Sequence, residues 1–383
     1  MTKSEFILSL SEALASLPGR ERSRVLEYYE EMIDDRIESG MTEEDAVAAM
    51  GSIEEILKEA APEAMNLNSR KQAEEIRSNP DENVFELREP VRNLIANSAS
   101  AELQIRSEAL PNGLTARVDY DLADNEECVC TLENGTLTVK YRTLKQRGFS
   151  LRNLFSCSDS SITITLADPA LERGEIGASS GNIDLHELVF TDSLEVTTAS
   201  GELEAHDIAI HHNCTLHTAS GDITASGLTC GDLCEIHSAS GDIDLKGFRA
   251  GRLEIGTASG DPNVNGVVCD ELEASSASGD VELYGVQADK ITAGTASGDL
   301  TLSGASCSGI IELSSVSGDI EIHGAQCSGE IHLSSTSGDI NGTLSPEENY
   351  TFSARSRTGD VSVPRTNGPC PVEIHTTTGD INF

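Results

Sequence analysis

A short motif recurs at a nearly constant interval through the second half of the chain. It consists of Ser or Thr, then Gly, then an acidic residue, with Asn182 in the acidic position of the first copy. Successive copies are 19 to 21 residues apart. The glycines of the motif, called the turn glycines below, are Gly181, Gly201, Gly221, Gly241, Gly260, Gly279, Gly298, Gly318, Gly338, Gly359 and Gly379. Such a regular period indicates a solenoid, in which each repeat is one turn, or rung, stacked on the next.

Apolar residues keep fixed positions relative to the turn glycines. The position two residues after the glycine holds, among others, Ile183, Leu203, Ile223, Val361 and Ile381, and the position five residues before it holds Ile176, Val196 and Leu216. Period-two alternation on each side of a turn is typical of strands that bury one face. We therefore expect a mainly β fold, a parallel β-helix or solenoid of about eleven rungs of about 20 residues.

A second glycine follows the turn glycine by six residues in several rungs. These glycines are Gly227, Gly247, Gly266, Gly285, Gly304 and Gly324. Because glycine adopts positive φ at little steric cost, they predict a second corner in each rung. Earlier in the chain, Asn134-Gly135 predicts a β-hairpin for the same reason.

Most of the ten cysteines fall in the apolar columns of the repeat. Cys230, Cys269, Cys307 and Cys327 lie nine residues after their turn glycine, and Cys214 and Cys234 lie seven residues before theirs. We expect these side chains to be buried, reduced and packed as small apolar groups. Their spacings do not match a structural zinc site, so the sequence predicts no metal centre and no organic cofactor.

Acidic residues form a column directly after the turn glycines. The candidate ligand or cation surface is Asp222, Asp242, Asp261, Asp280, Asp299, Asp319 and Asp339. One interpretation is turn chemistry, in which each carboxylate accepts backbone N–H groups. The other is a multivalent surface for Ca²⁺ or a cationic peptide, since like charges stacked at about 4.8 Å repel unless something neutralises them. Both interpretations remain open at this point.

The histidines lie at outward positions of the repeat. His186, His206 and His323 each lie five residues after a turn glycine, and His217 and His237 lie four residues before theirs. A stacked pair of His217 and His237 could bind a metal or titrate near neutral pH. The alternative is that they are exposed polar residues without a special role.

The first 65 residues have a helical pattern, with Phe6 and Val47 among the apolar positions, and predict a small all-α bundle. We expect a charged linker over 66–83, a strand-rich cap over 84–169, and solenoid repeats with atypical last rungs over 170–383. The chain carries Leu17-Pro18-Gly19-Arg20-Glu21-Arg22, Tyr28-Tyr29-Glu30-Glu31 and Met50-Gly51-Ser52-Ile53. On these residues the segment resembles the HAAS signalling domain of bacteria, which implies a signalling role.

The remainder of the chain also resembles a known family. The relevant residues are Ser161-Ile162-Thr163-Ile164-Thr165-Leu166, the following Pro169, and Ser180-Gly181-Asn182-Ile183 with its successors. Residues 84–383 resemble the bacterial putative-adhesin family of unknown function, the YvlB- and LiaX-like solenoids. This resemblance implies a β-solenoid with roles in envelope stress or adhesion and no catalytic residues to assign.

A basic segment interrupts the strand-rich part of the chain. It contains Arg142, Lys145, Arg147, Phe149 and Arg152, with basic and apolar side chains interleaved. It is either a loop that contacts a partner or a membrane surface, or a solvated loop that balances the acidic body.

The formal net charge of −39 limits the partners of the chain. Repulsion from phosphate excludes nucleic acid as an expected partner and disfavours anionic membrane surfaces. A protein or cationic peptide is the expected partner instead. Without a signal peptide or an apolar run of spanning length, we expect a cytoplasmic protein, with peripheral envelope contact left open.

The leading functional hypothesis is a non-enzymatic interaction or signalling protein, a helical signalling module joined to an adhesin-like β-solenoid in the bacterial envelope-stress response. One alternative is a carbohydrate-active enzyme on a β-helix, with two carboxylates as acid and base. Another is a cation-stabilised structural rod, for which Ca²⁺ is the candidate ion. The equivalence of the rungs and the absence of Trp disfavour the enzyme.

Overall fold

The computed structural model describes Lys3, Phe6, Ile33, Val47 and residues 75–76, 83–123, 126–143 and 160–383. The chain forms two compact units, Met1–Glu74 and Glu75–Phe383. The division falls within the segment predicted as a linker, and the domain boundaries at 65 and 83 stay predictions.

In the first unit, the four described residues are all helical. Phe6 and Val47 are buried, as their apolar spacing predicts, and so is Ile33, which the spacing did not select. The rest of the predicted helical bundle lies outside the described residues. No helix among the described residues has both the length and the apolar character needed to cross a membrane.

The regular secondary structure of the described part of the second unit is almost entirely β. They are β1 Glu75–Ile76, β2 Val84–Leu87, β3 Asn93–Ser98, β4 Glu102–Ser107, β5 Ala116–Asp121, β6 Glu126–Glu133, β7 Thr136–Thr143, β8 Ser161–Leu166, β9 Ala170–Ala178, β10 Ile183–His186, β11 Val189–Thr198, β12 Leu203–His206, β13 Ala209–Ile210, β14 Asn213–Thr218, β15 Ile223–Ser226, β16 Thr229–Cys230, β17 Leu233–Ser238, β18 Ile243–Lys246, β19 Arg249–Thr257, β20 Pro262–Asn265, β21 Val268–Ser276, β22 Val281–Tyr284, β23 Gln287–Thr295, β24 Leu300–Ser303, β25 Ser306–Ser315, β26 Ile320–Cys327, β27 Glu330–Ser337, β28 Ile340–Leu344, β29 Tyr350–Ser356, β30 Val361–Ser362, β31 Cys370–Thr378 and β32 Ile381–Asn382. Two short 3-10 turns cover Pro111–Gly113 and Glu347–Asn349.

Strands of successive rungs pair in parallel, and the residues that lie opposite each other are one repeat length apart in the sequence. β10 pairs with β12 so that Ile183 lies opposite Leu203. Strands that precede the turn glycines, such as β14 and β17, form one parallel array, which we call sheet A. The four-residue strands that follow them, such as β10 and β12, form sheet B. The predicted β-solenoid of about eleven rungs is confirmed.

The core lies between the two sheets and is built from the alternating apolar columns. Ile183, Leu203 and Ile223 are fully buried in sheet B, and Val196 and Leu216 are fully buried in sheet A. The nine cysteines of the described part are all buried and free. This agrees with their predicted role as small apolar side chains, and it leaves them without disulfides.

The turn glycines are required by close stacking of the rungs. A Cβ atom added to Gly260 would lie 2.0 Å from the carbonyl oxygen of Gly241, one rung earlier. By contrast, the second glycine of each rung is required by its backbone conformation. Gly304 has a φ of 61°, and Glu187 and Asp207 occupy the equivalent corner in earlier rungs with φ of 54°.

At both ends of the second unit, the order of strands in space differs from their order in the sequence. β31 lies between β27 and β29, and β32 lies between β28 and β30. Likewise β3 lies between β7 and β9, and β4 lies between β8 and β10. The first rung of the solenoid, β3 with β4, and the last rung, β31 with β32, are therefore each inserted one place inside the stack.

Two local predictions have different outcomes at these ends. The Asn134-Gly135 hairpin is confirmed, since β6 and β7 are antiparallel and both residues have positive φ. Val361, however, is 44% exposed, although its column predicts burial. It belongs to β30, which pairs on one side with β32 and has no partner on its other side among the described strands.

Candidate functional site

The turn from sheet A into sheet B is fixed by a buried hydroxyl group. Thr257 accepts the N–H of Gly260 at 2.9 Å and donates to the carbonyl of Gly241, one rung earlier, at 3.4 Å. Ser238 bonds Gly241 and Gly221 in the same way, at 2.8 and 3.2 Å. Because each hydroxyl has partners for both roles, its burial costs little. These hydroxyl groups, three residues before the turn glycine, hold the backbone of the glycine in place. They therefore position the acidic residue that directly follows it.

The acidic residues after the turn glycines form a continuous hydrogen-bonded column, the aspartate ladder. Oδ1 of each aspartate accepts the backbone N–H of the next aspartate in the stack. The N···O distances are 2.7 to 2.9 Å along Asp222, Asp242, Asp261, Asp280, Asp299, Asp319 and Asp339. In the first copy of the motif, Asn182 accepts the N–H of Glu202 at 3.0 Å. The carboxylates thus accept backbone N–H groups, but from the next rung rather than from their own turn, and an amide oxygen can serve as the acceptor as well as a carboxylate.

The ladder leaves its negative charge on the surface. Asp222, Asp242, Asp261, Asp280 and Asp299 are exposed, and Asp319 and Asp339 are half-buried. The ladder bond uses one oxygen of each carboxylate, and the charge remains. Successive carboxylates are therefore held in a line at the rung spacing of about 4.8 Å. Ligand binding by this surface remains a prediction.

The outer face of sheet A shows how the chain neutralises acidic residues elsewhere. Arg252 lies 2.6 Å from Glu254, 3.0 Å from Glu271 and 3.2 Å from Glu273. Lys290 approaches Glu271 at 3.3 Å. Among the described residues, no basic side chain comes within 4.0 Å of a ladder carboxylate. The ladder is therefore an acidic surface without counter-charges from the described part of the chain.

A different group of polar side chains lies on the outer face of sheet B. The donor atoms of Asp184, His186 and His206 all lie within 4.8 Å of one another. β10 and β12 place the two histidines side by side, with ring centroids 4.9 Å apart. Asp184 projects from the same face as His186 because side chains alternate along a strand. Two neighbouring rungs thus bring two imidazoles and a carboxylate together.

The carboxylate of this group is poorly satisfied. Oδ1 of Asp184 is buried and accepts no hydrogen bond, although Nε2 of His186 lies 2.7 Å away, because the approach lacks hydrogen-bonding geometry. Burial raises the pKa of the Asp184 carboxyl, His186 opposes this shift, and Glu204 adds to it.

The other sequence-based candidates have separate outcomes. His217 and His237 are aligned across β14 and β17, as their spacing predicts. The described residues add no further donor that would complete a three-ligand group around them. The backbone of Arg142 belongs to β7. The remaining candidates of the basic segment, Lys145, Arg147, Phe149 and Arg152, lie outside the described residues.

Sequence reasoning placed His186 and His206 on an outward face but did not join them to Asp184. The missed signal was a histidine at the same position of two consecutive rungs, each with an acidic residue two positions earlier. Only the parallel register of β10 and β12 makes these positions adjacent.

Comparison with known families identifies both parts of the chain. The family model described as Toastrack DUF4097 matches residues 91–261 and again residues 232–383. A model described as HAAS matches residues 5–59. None of the curated proteins compared with the chain matches it.

Three solved structures are similar over most of their length. A "Putative lipid binding protein" from Parabacteroides distasonis has 18% identity and a TM-score of 0.35, with 80% of this chain and 98% of that chain covered. A "putative adhesin" from Bacteroides fragilis has 13% identity and a TM-score of 0.26, with coverage of 78% and 95%. A "putative cell adhesion protein" from Clostridium sporogenes has 10% identity and a TM-score of 0.19, with coverage of 79% and 97%. TM-scores this low support no inference about function.

Proposed function

Since the chain belongs to the Toastrack DUF4097 family, we propose that it acts by binding rather than by catalysis, with the aspartate ladder as its contact surface. The proposed ligand is a polycationic peptide segment of a protein partner. The observation that carries this proposal is the state of the ladder, whose carboxylates are ordered by backbone hydrogen bonds yet lack counter-charges among the described residues. A linear partner with several ammonium or guanidinium groups supplies those counter-charges along the whole line.

The geometry of the ladder favours a peptide over dedicated calcium sites. Ca²⁺ takes six to eight oxygen ligands, usually from residues that converge on one point. In the ladder, Oδ1 of each aspartate is already bonded to the N–H of the next, as Asp261 is to Asp280. Among the described residues, no three ladder carboxylates have oxygens that all lie within 4.8 Å of one another. Ammonium and guanidinium groups can each bond one or two such oxygens.

The HAAS match suggests what the binding is for. Residues 5–59 match the HAAS model, and resemblance to the HAAS signalling domain of bacteria implies a signalling role. We propose that the solenoid recognises the partner and that the helical module transmits the event, in the envelope-stress response of a bacterium. Support for this step comes from the pairing of the two modules in one chain.

The carbohydrate-active enzyme alternative is supported by one carboxyl group with a raised pKa, but that group does not lie in a cleft that could hold a sugar. Burial raises the pKa of Asp184, as a general acid requires. However, Asp184 lies on the open face of a sheet. Neither the surface pocket of about 680 Å³ beside Arg173 nor the one of about 430 Å³ beside His332 includes it. A glycosidase needs its carboxylate pair in a cleft that holds the sugar, so binding is the better-supported function.

The test uses a fluorescein-labelled ten-residue oligolysine and the full chain, with binding followed by fluorescence anisotropy. The ladder variant combines Asp261→Asn, Asp280→Asn and Asp299→Asn, because asparagine keeps the acceptor oxygen and removes the charge. At about 0.5 kcal/mol for each exposed charge, Kd should rise about tenfold. Added salt should weaken binding of the natural chain.

The matched control removes the same number of charges from sheet A, through Glu195→Gln, Glu235→Gln and Glu312→Gln. It should change Kd much less than the ladder variant does. Equal weakening by both variants would show that only net charge matters. Unchanged binding by the ladder variant would show that the peptide binds elsewhere, and either result would overturn the proposal.

A further inference from the structure

We propose that Asp184, His186 and His206 form a binding site for a divalent transition-metal ion such as Zn²⁺, with Glu204 as a fourth ligand. The site lies on the outer face of sheet B and is separate from the aspartate ladder. It does not depend on the function proposed above.

The donor set has the composition that zinc prefers. Imidazole nitrogens and carboxylate oxygens bind Zn²⁺ at about 2.0–2.2 Å, most often with four ligands in a tetrahedron. The donor atoms of Asp184, His186 and His206 already lie within 4.8 Å of one another. Oε2 of Glu204 lies 3.6 Å from Nε2 of His206. Small rotations bring these groups to ligand spacing, and the side chains of His186 and Glu204 are 44% and 51% exposed, which leaves them room to move.

The second nitrogen of His206 is already held by a neighbour. Nδ1 of His206 lies 2.7 Å from Oγ of Ser226 in the following rung. When Nδ1 carries the proton and donates it to the hydroxyl, Nε2 presents its lone pair toward Asp184 and Glu204. Metal-binding histidines are commonly oriented by such a contact on the nitrogen that faces away from the metal. Ser226 is therefore a positioning residue for the site.

The incomplete hydrogen bonding of Asp184 is a further observation at this site. Oδ1 of Asp184 is shielded from solvent and accepts no hydrogen bond, although Nε2 of His186 lies 2.7 Å from it. A shielded carboxylate oxygen that accepts no hydrogen bond is costly. Glu204 adds a second negative charge nearby. A bound cation satisfies Oδ1 and offsets the repulsion between the two carboxylates.

Other rungs do not repeat this arrangement, which separates the site from the general pattern of the solenoid. At the equivalent positions, the two rungs that follow Glu204 and His206 have Thr224 with Ser226 and Asp244 with Lys246. His323 does have an acidic neighbour, with Nε2 at 3.2 Å from Glu321. However, Ser303 and Thr343 flank His323 in the adjacent rungs, so a second imidazole is missing there. His323 is therefore a natural control.

A metal at this position would tie β10 to β12 through their side chains. Because ligands come from two rungs, binding should stabilise the folded chain over the unfolded one. Metal binding and thermal stability therefore give two independent readouts of the same site.

The experiment is isothermal titration of ZnCl₂ into the full chain, after removal of metal with a chelator and with the thiols kept reduced by a phosphine. We expect one site that His186→Ala and His206→Ala each weaken at least tenfold. His323→Ala should bind zinc within about twofold of the natural chain, as expected for an exposed residue outside the site. Zinc should raise Tm in the natural chain and in His323→Ala, and should leave Tm unchanged in His186→Ala.

Circular dichroism shows whether each variant keeps its strands, so a folding failure is recognised and is not counted as loss of binding. Titration with Co²⁺ adds a spectroscopic check on the ligands. A thiolate charge-transfer band would identify cysteine as the ligand and overturn the assignment. Equal zinc affinity in the natural chain and the His186→Ala/His206→Ala double variant would also overturn it. Neither result affects the oligolysine experiment, which reports on the ladder alone.

Discussion

Oδ1 of Asp261 accepts the backbone N–H of Asp280 at 2.8 Å, although the two residues are 19 positions apart in the chain. The ladder aspartate therefore supports the backbone of the next rung, whereas its own turn is held by the buried hydroxyl group. The interaction needs an acceptor oxygen and does not need a charge, as Asn182 shows in the first copy of the motif.

The ladder predicts that two substitutions of Asp261 will have different effects on the free energy of unfolding. Asp261→Ala removes the acceptor for the Asp280 N–H and should lower the free energy of unfolding by about 1 kcal/mol. Asp261→Asn keeps the acceptor and removes one of a line of like charges, so stability should be unchanged or slightly higher. Urea unfolding of both variants tests this prediction. Equal losses in the two variants would show that the charge, and not the acceptor, matters.

The two kinds of glycine should respond differently to alanine. In Gly260→Ala, the new Cβ would lie 2.0 Å from the Gly241 carbonyl oxygen, so the rungs must separate and the loss should be about 3 kcal/mol or more. At Gly304, a Cβ has no atom within 4 Å, and only the positive φ opposes it. Gly304→Ala should cost about 1–2 kcal/mol. Thermal unfolding of both variants is the measurement, and a reversed order would refute this explanation of the glycines.

Tyr350 should contribute to stability through its hydroxyl group. Its phenolic oxygen accepts the backbone N–H of Cys327 at 2.9 Å, and the side chain is only 1% exposed. Tyr350→Phe leaves that N–H buried without a partner, which should cost about 1–3 kcal/mol. Tyr284→Phe is the control, since the Tyr284 hydroxyl bonds Glu282 on the outer face of sheet B. A loss in the control as large as in Tyr350→Phe would argue against the role of burial.

His212 should titrate at a higher pH than an ordinary histidine. Nδ1 of His212 lies 2.7 Å from Oδ2 of Asp232, and this hydrogen bond, reinforced by the charge of Asp232, raises the pKa of His212. Because the folded-state pKa is raised, the contact stabilises the folded chain fully at pH values below the unfolded-state pKa of about 6.5. This stabilisation is lost as the pH rises through the folded-state pKa. NMR titration of His212 measures the shift. Asp232→Asn should bring the pKa back toward the ordinary value, and an unaltered titration would contradict the assignment.

The repeat architecture could be predicted because it depends on local alternation. Ile183 and Leu203 are apolar at equivalent positions of two rungs, and any parallel stack that buries one must bury the other. The structural reason why the turn positions require glycine is harder to predict from the sequence. The sequence shows Gly260 in a turn, whereas the close approach of the Gly241 carbonyl depends on the stacking distance between rungs.

The order of strands at the ends could not be predicted from periodicity. Val372 of β31 pairs with Ile331 on one side and Phe352 on the other, and the apolar pattern fits either order of rungs equally well. Val361 was misassigned to the core for this reason. The histidine group was missed because nothing along the chain connects Asp184 to His206 before the register of β10 and β12 is known.

The insertion of the first and last rungs of the solenoid has a consequence for how such a protein can change in length. A rung added beyond β31 would have to displace the contacts that β31 makes with β27 and β29. A rung in the middle, such as the 19 residues from Asp261 to Gly279, contacts only neighbours that resemble itself. Duplication or deletion of one such unit shifts the ends by about 4.8 Å and leaves their pairing intact. The interior rungs are therefore the natural place for evolution, or an engineer, to adjust the number of ladder aspartates.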